Sequence, residues 1–155
     1  MSAPEIVAVC ANPEQEPPLG TSEHARWLVH WHLEWENPEQ LDLLGTLYSD
    51  DIAWEMNFPG EYIAHTGKDA VLANYGALLA TLHNLTETTL ECFSTPDRVF
   101  IDQHISYDVA AESAVDSAQV RAGDQVQGRL VHNFRIADGL ITHETAYFIP
   151  DPPNS

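Results

Sequence analysis

The side chains in this chain that can move protons are abundant on the acidic side and scarce on the basic side: 24 Asp and Glu, eight His, and six Lys and Arg. Three of the histidines crowd into "HARWLVHWHLEWEN", residues 24–37, among tryptophans at 27, 31 and 35. A metal site would need its ligands on one helix face. His30 and His32 stand about 200° apart around a helix, and His24 and His32 are two turns apart, so neither pair chelates directly. Trp27, Trp31 and Trp35 recur at i, i+4 and i+8, a stripe expected to be core or pocket wall, which leaves the histidines mainly on the helix surface.

The second half of the chain holds the other candidates. Asp102-x-His104 places a carboxylate beside an imidazole, His132 lies between Leu130 and Phe134, Glu144 follows in the last apolar run, and His83 stands in "TLHN". There is no Cys/His ligand spacing, phosphate loop or dinucleotide fingerprint, and no Ser or Cys nucleophile in a recognisable setting. No metal and no cofactor is expected.

Elements must position these residues. Residues 1–20 carry four prolines and read as an extended arm. Thr21 or Ser22 can cap a helix reaching about Asn37, where Pro38 stops it. "PEQLDLLGTLY" is a second helix with Leu41, Leu44 and Leu47 on one side. "DIAWEMNF" alternates as a half-buried strand, "PGEYIAHTG" reads as a loop, and "KDAVLANYGALLATLHN" is a third helix that ends with His83 near a pocket mouth. "TETTLECFS", "RVFIDQHISYDVA", "VQGRLVHNFRIA" and "LITHETAYFI" are strand-like, and "AESAVDSAQVRAGD" is a hairpin link. Helices followed by antiparallel strands predict one α+β domain with helices on one face of a curved sheet.

Charge and composition narrow the partners. A net charge of −18 disfavours nucleic acid, which needs clustered cations, and anionic membrane surfaces. No run is long enough to span a membrane, and the first residues lack the basic start of a signal peptide, so a cytoplasmic location is expected. Cys10 and Cys92 are too few for a disulfide framework.

The order of elements, with "LYSDDIAWE", "HTGKDAVLANY" and "HNFRIADGLITHETAYF", resembles the SnoaL-like branch of the nuclear transport factor 2-like superfamily over residues 21–150, between the arm and a short tail at 151–155. The resemblance implies a cone-shaped roll: three N-terminal helices on the concave face of a mostly antiparallel sheet, an apolar cavity between them, and homodimers through the sheet. Members include ketosteroid isomerase, scytalone dehydratase, polyketide cyclases, limonene-epoxide hydrolase and non-catalytic binders. The epoxide hydrolase Arg-x-Asp falls here on Gln103 and Ile105, and its last-strand carboxylate on Ala146, so epoxide hydrolysis is rejected. The dehydratase histidine after helix 3 corresponds to His83, and its helix 1 tyrosine–aspartate pair loosely to Trp35-Glu36.

Strand alternation sorts the candidates by face. Val99, Ile101, Gln103, Ile105 and Tyr107 point into the cone, which turns Asp102 and His104 outward. Leu130, His132 and Phe134 share the inner face, as do Glu144, Ala146 and Phe148. His132 then reads as a buried imidazole in an apolar wall, kept neutral by desolvation and suited to act as a base, or as a core histidine satisfied by a neighbour. Glu144 either orients His132 or pairs with an arginine such as Arg129. His83 is a second candidate base or a solvated helix-end residue. Tyr107 and Gln103 could hold an oxyanion, and Trp31, Trp54, Met56, Tyr75, Leu130, Phe134 and Phe148 could wall a flat apolar ligand. The reading is a cofactor-free lyase, isomerase or cyclase acting on an apolar polyketide-, steroid- or aromatic-like carbonyl compound. The alternative is a binding or structural dimer of the same fold.

Overall fold

The computed structural model describes residues 15–110 and 122–152. Cys10, most of the N-terminal arm and most of the "AESAVDSAQVRAGD" link lie outside them. Helix α1, Ser22–Glu34, begins where Thr21 Oγ1 accepts the His24 N–H at 3.1 Å. It ends three residues short of Asn37, whose Nδ2 donates to the Glu34 carbonyl at 3.2 Å. Helix α2, Leu41–Gly45, is a single turn, and Tyr48 already belongs to strand β1, Tyr48–Phe58.

The segment read as a loop after β1 is a strand, β2, Glu61–Thr66. Pro59 and Gly60 form a two-residue hairpin turn in which Gly60 takes φ +79°. β2 is mostly exposed at the sheet edge, so its side chains lack the apolar alternation that announces a strand. Helix α3, Lys68–Thr81, stops before His83, which is the second residue of strand β3, Leu82–Thr95. Strands β4, Arg98–Val109, β5, Gln125–Ala137, and β6, Leu140–Pro150, complete the sheet.

The six strands run in the order β2-β1-β6-β5-β4-β3. Every pairing is antiparallel except β1 with β6. That parallel pair sets the first strand, β1, beside the last, β6, and the helices cover one face of a curved, open sheet. The core between the layers gathers Ala25, Leu28 and Val29 of α1 with Ile52 and Trp54 of β1, Val71 of α3, and Ile101, Phe134 and Ala146 of the sheet.

The face α1 buries is Ala25, Leu28, Val29 and His32; Trp27, Trp31 and Trp35 flank it, partly buried. The tryptophans are thus a side wall of the helix rather than its seam. They are too bulky for the closest approach of helix to sheet and stack on neighbours instead, Trp31 on Trp35 with ring centroids 5.0 Å apart. His24 and His32, expected on the surface, are both buried.

One close approach locks β5 to β6. A Cβ on Gly128 would meet the Ile149 carbonyl oxygen at 2.5 Å and the Pro150 Cα at 2.9 Å, both backbone atoms that cannot swing aside. Gly128→Ala is therefore expected to destabilise the fold by about 2 kcal/mol, read as a lower urea midpoint. An unchanged midpoint would mean that the hairpin end yields.

Candidate active site

Glu144, in the middle of β6, lies opposite Phe134 of β5 on one side and Trp54 of β1 on the other. Its carboxylate is buried, at 2 % exposure, and α1, α3 and β5 supply its partners. Oε2 is 2.9 Å from His132 Nδ1, and Oε1 accepts the Tyr75 hydroxyl at 2.5 Å. Tyr75, on α3, in turn accepts the Trp54 indole N–H at 3.2 Å.

His32 approaches from α1. Its Nε2 is 2.7 Å from Glu36 Oε1 and 3.5 Å from Glu144 Oε1, and its Nδ1 is 2.9 Å from the Tyr48 hydroxyl. Burial alone would lower its pKa, but Glu144 and then Glu36 outweigh burial and raise it to about 10, so His32 is an imidazolium. Burial likewise pushes the Glu144 carboxyl up, and the His32 charge with the His132 hydrogen bond pulls harder, holding it well below the usual carboxylate range. The Tyr48 and Tyr75 phenols are pushed up, first by burial and then by the Glu144 charge, and stay protonated; Tyr75 donates to Glu144, while Tyr48 accepts from the His32 imidazolium.

A second arm leaves His132 in the opposite direction. His132 Nε2 lies 3.0 Å from Gln103 Oε1, and Gln103 Nε2 donates to Glu87 Oε2 at 3.3 Å. The registers explain the line. Glu144 faces Phe134, two residues from His132; His132 faces Ile101, two from Gln103; Gln103 faces Thr89, two from Glu87. Each step crosses one strand and advances one diagonal on the same sheet face, a separation that long side chains span. Glu87 is exposed as a residue, but its carboxyl turns in to the buried Gln103, and burial followed by the Glu36 charge pushes it up to about 7.

Of the residues singled out in the sequence, His132, Glu144, Gln103, Tyr75 and Trp54 meet in this network. His132 does not sit in a purely apolar wall: both ring nitrogens have polar partners, while Phe134 stacks on its face at 5.6 Å. Glu144 does not pair with Arg129, which turns to the outer face and binds Asp102. His104, also outside, binds Asp151 at 2.9 Å. His83 is exposed on β3 opposite Asp108, away from the network, because α3 ends too early to carry it to the mouth. Tyr107 is half-buried and makes no side-chain hydrogen bond among the described residues. Met56, Leu130 and Phe148 continue the inner face beyond Glu144 as apolar wall, and Trp31 remains on the flank of α1.

Four members were not picked out as site residues in the sequence: His32, placed on the helix surface; Glu36, matched only loosely to the dehydratase pair; Tyr48; and Glu87. His32 and Glu36 were legible as continuations of the Ala25, Leu28, Val29 face at helical spacing. The donor atoms of His32, Glu36 and Glu144 lie within 4.8 Å of one another, close enough to hold a metal ion. A cation there would replace the proton that His32 shares with the two carboxylates.

A family model described as "SnoaL-like domain" matches residues 28–144 of the chain. No curated protein sequence matches it. Among solved structures, one described as a SnoaL-like polyketide cyclase from Jannaschia sp. CCS1 is similar with a TM-score of 0.68 and 14% identity, over 88% of this chain and 91% of that one. One described as a ketosteroid isomerase from Kribbella flavida DSM 17836 has a TM-score of 0.59 and 15% identity, over 86% and 85% of the two chains. An M. tuberculosis epoxide hydrolase has a TM-score of 0.59 and 16% identity, over 79% and 80%. These three likenesses establish a shared fold, and the fold carries different chemistries in each.

The shifted groups set a pH dependence of stability. His32 gains its proton affinity only in the folded state, so its contribution is complete below pH 6.5 and is lost as pH rises toward about 10. Glu144, depressed by folding, contributes above 4.5 and loses that contribution as pH falls below it. Unfolding free energy should therefore decline on the alkaline side by up to about 1.4 kcal/mol per pH unit. In His32→Gln the alkaline decline should flatten, and the acid limb should shrink with it, because the His32 charge is the first of the influences that depress Glu144. An unaltered alkaline slope in the variant would show that His32 is not the titrating group.

Proposed function

The chain belongs to the SnoaL-like family, and from that premise we propose that it is a small acid–base enzyme, a lyase, isomerase or cyclase, acting on an apolar carbonyl compound of polyketide, steroid or aromatic type. The observation that carries this reading is the Glu144 carboxylate, buried among two histidines and a tyrosine at the base of an otherwise apolar concave face. A fold needs no such group for packing. Burying a carboxylate costs several kcal/mol unless each lone pair is met, and apolar residues of similar volume pack the same space more cheaply.

The residues divide the work. Glu144 holds His132 by Nδ1, which fixes the ring's orientation and leaves Nε2 as the nitrogen that handles a proton. Gln103 occupies that Nε2 in the absence of ligand and offers its amide to a developing oxyanion when displaced. His32, fastened by Glu36, Glu144 and Tyr48, supplies the positive charge that lets Glu144 stay ionised. Met56, Leu130, Phe134 and Phe148 furnish the apolar wall against which a flat ligand lies. No step calls for a cofactor. The sheet's outer face exposes Phe93, Tyr147 and Ile149, and this face is proposed to join two copies into a dimer.

The test is exchange of acidic C–H protons for deuterium in a panel of cyclic and aromatic ketones, followed by NMR. The native chain should exchange at least one member, and Glu144→Gln and His132→Gln should each lower kcat by about 100-fold or more with KM changed little. Compounds that bind without exchange, or variants that keep full turnover, would favour a binding protein. Sedimentation velocity checks the dimer: Ile149→Lys should yield a monomer, and a native monomer at micromolar concentration would refute the sheet contact.

A further inference from the structure

His32, Glu36 and Glu144 bring three donor atoms within 4.8 Å of one another at the end of α1. His32 Nε2 is 2.7 Å from Glu36 Oε1 and 3.5 Å from Glu144 Oε1. Four-coordinate zinc keeps its nitrogen and oxygen ligands about 2.0–2.2 Å away, which sets them about 3.3 Å from each other. The His32–Glu144 distance already suits that spacing, and the His32–Glu36 distance has to open by about 0.6 Å. Glu36 is the ligand with room to give way: it follows the end of α1, and its side chain is 11 % exposed against 0 % for His32 and 2 % for Glu144. The far side of each buried ligand is already fastened. His32 Nδ1 faces the Tyr48 hydroxyl at 2.9 Å, and Glu144 Oε2 faces His132 Nδ1 at 2.9 Å. Outer partners of this kind orient metal ligands, and both stay in place when Nε2 and Oε1 turn to an ion. The Tyr75 hydroxyl, 3.4 Å from His32 Nε2 and 2.5 Å from Glu144 Oε1, borders the same point.

We propose that His32 Nε2, Glu36 Oε1 and Glu144 Oε1 bind one divalent transition-metal ion of the zinc type, with a water or the Tyr75 hydroxyl completing its shell. The ion takes the place of the proton held between His32 and the two carboxylates, and His32 binds it as a neutral imidazole. The balance of charge favours the exchange. His32 can set one positive charge between two carboxylates, whereas a divalent ion on a neutral imidazole matches both, in a place where an unmatched charge is costly. One imidazole nitrogen with two carboxylate oxygens suits zinc, cobalt or manganese. Calcium takes about six to eight oxygens and magnesium keeps most of its waters, and this enclosed set offers neither. Spacing along α1 gives only the His32–Glu36 pair, one turn apart; the third ligand arrives from β6, more than a hundred residues later, so α1 alone does not announce the site. The site goes beyond the acid–base reading and does not rest on it. Glu144 keeps its hold on His132 through Oε2 whether an imidazolium or an ion faces Oε1.

The experiment uses the full chain, stripped of metal with a chelator and dialysed, at about pH 8, where fewer protons compete for the ligands. Titration with Co2+ should build visible absorption bands that saturate at one ion per chain, and added Zn2+ should bleach them. Zn2+ should also raise the thermal unfolding midpoint by a few degrees, while Mg2+ at the same concentration should not. Glu36→Gln should weaken Co2+ binding by about 100-fold, and His104→Gln, on the outer face, should leave it at the native value. Three results would overturn the site: no saturable binding at millimolar Co2+, native affinity in Glu36→Gln, which would put the ion on surface histidines, or an equal response to Mg2+, which would mean an oxygen-only site. His32→Gln removes the nitrogen ligand, so bands that persist there at native affinity exclude the site as well. If that variant fails to fold, the ring nitrogens of the native chain decide by NMR: Zn2+ should shift His32 Nε2 more than any other imidazole nitrogen, and no shift there rules His32 out as a ligand. None of these measurements involves turnover, so a negative result leaves the acid–base reading to its own exchange assay.

Discussion

An ionised carboxylate at the centre of a sheet is the constraint around which this structure is organised. Glu144 sits where β6 meets β1 in parallel and β5 in antiparallel pairing, the point of the sheet farthest from either edge. Unpaired there, it would either protonate or unfold its surroundings. The compensation comes from four directions: α1 supplies His32, α3 supplies Tyr75, β5 supplies His132, and Tyr48 at the start of β1 fixes His32 from behind. Each helix of any length is thus tied to the sheet by a polar contact to one side chain, and those contacts set where along the sheet each helix sits. Apolar packing between the layers could tolerate a slide of a few ångströms; the Tyr75–Glu144 bond of 2.5 Å and the Tyr48–His32 bond of 2.9 Å could not.

The two imidazoles beside Glu144 are unequal, and the inequality separates stability from chemistry. His32 is enclosed by Glu36, Glu144, Tyr48 and Tyr75 and has no side left open. Its proton is held so firmly that it behaves as a fixed positive charge in a chain that carries −18 overall. His132 has one nitrogen committed to Glu144 and the other to Gln103, whose amide leads outward to the exposed Glu87. A group enclosed on all sides can neutralise; only a group connected to the outside can exchange.

Sequence reasoning was strongest where strands alternate without interruption. On β4, β5 and β6 the alternation put Gln103, His132 and Glu144 inside and Asp102, His104 and Arg129 outside, and the outer contacts of Asp102 with Arg129 and of His104 with Asp151 place them there. Where the period breaks, the reading fails. β3 has an extra residue at Leu90, between Thr89 and Glu91, so that Gln103 faces Thr89 while Ile101 faces Cys92. Alternation counted from Cys92 would put Thr88 inside and Glu87 outside, and the bulge reverses them. On α1 the large tryptophans drew the eye from a buried face made of smaller residues and one histidine. The polar His32 reads as surface until the carboxylates that neutralise it are known, and those come from Glu36 and from a strand more than a hundred residues later. His83 was misplaced for a local reason: no Gly or Pro marks the end of α3, and the chain simply turns extended at Leu82.

The same electrostatics bear on the ligand proposed for this site. Glu36 binds His32 and Glu87 binds Gln103, so two further carboxylates flank the network beside Glu144. A ligand bearing a carboxylate or phosphate would meet carboxylates first and would enter at a Coulombic cost that the low-dielectric wall of Met56, Phe134 and Phe148 magnifies. A neutral carbonyl compound pays no such cost. In the proposed reaction its charge would appear only as a proton is removed, as an enolate oxygen near the Gln103 amide, which lies 3.0 Å from His132 Nε2. Under the proposed acid–base reading, the arrangement disfavours a ligand that arrives charged and accommodates charge that forms during proton abstraction next to a carbonyl.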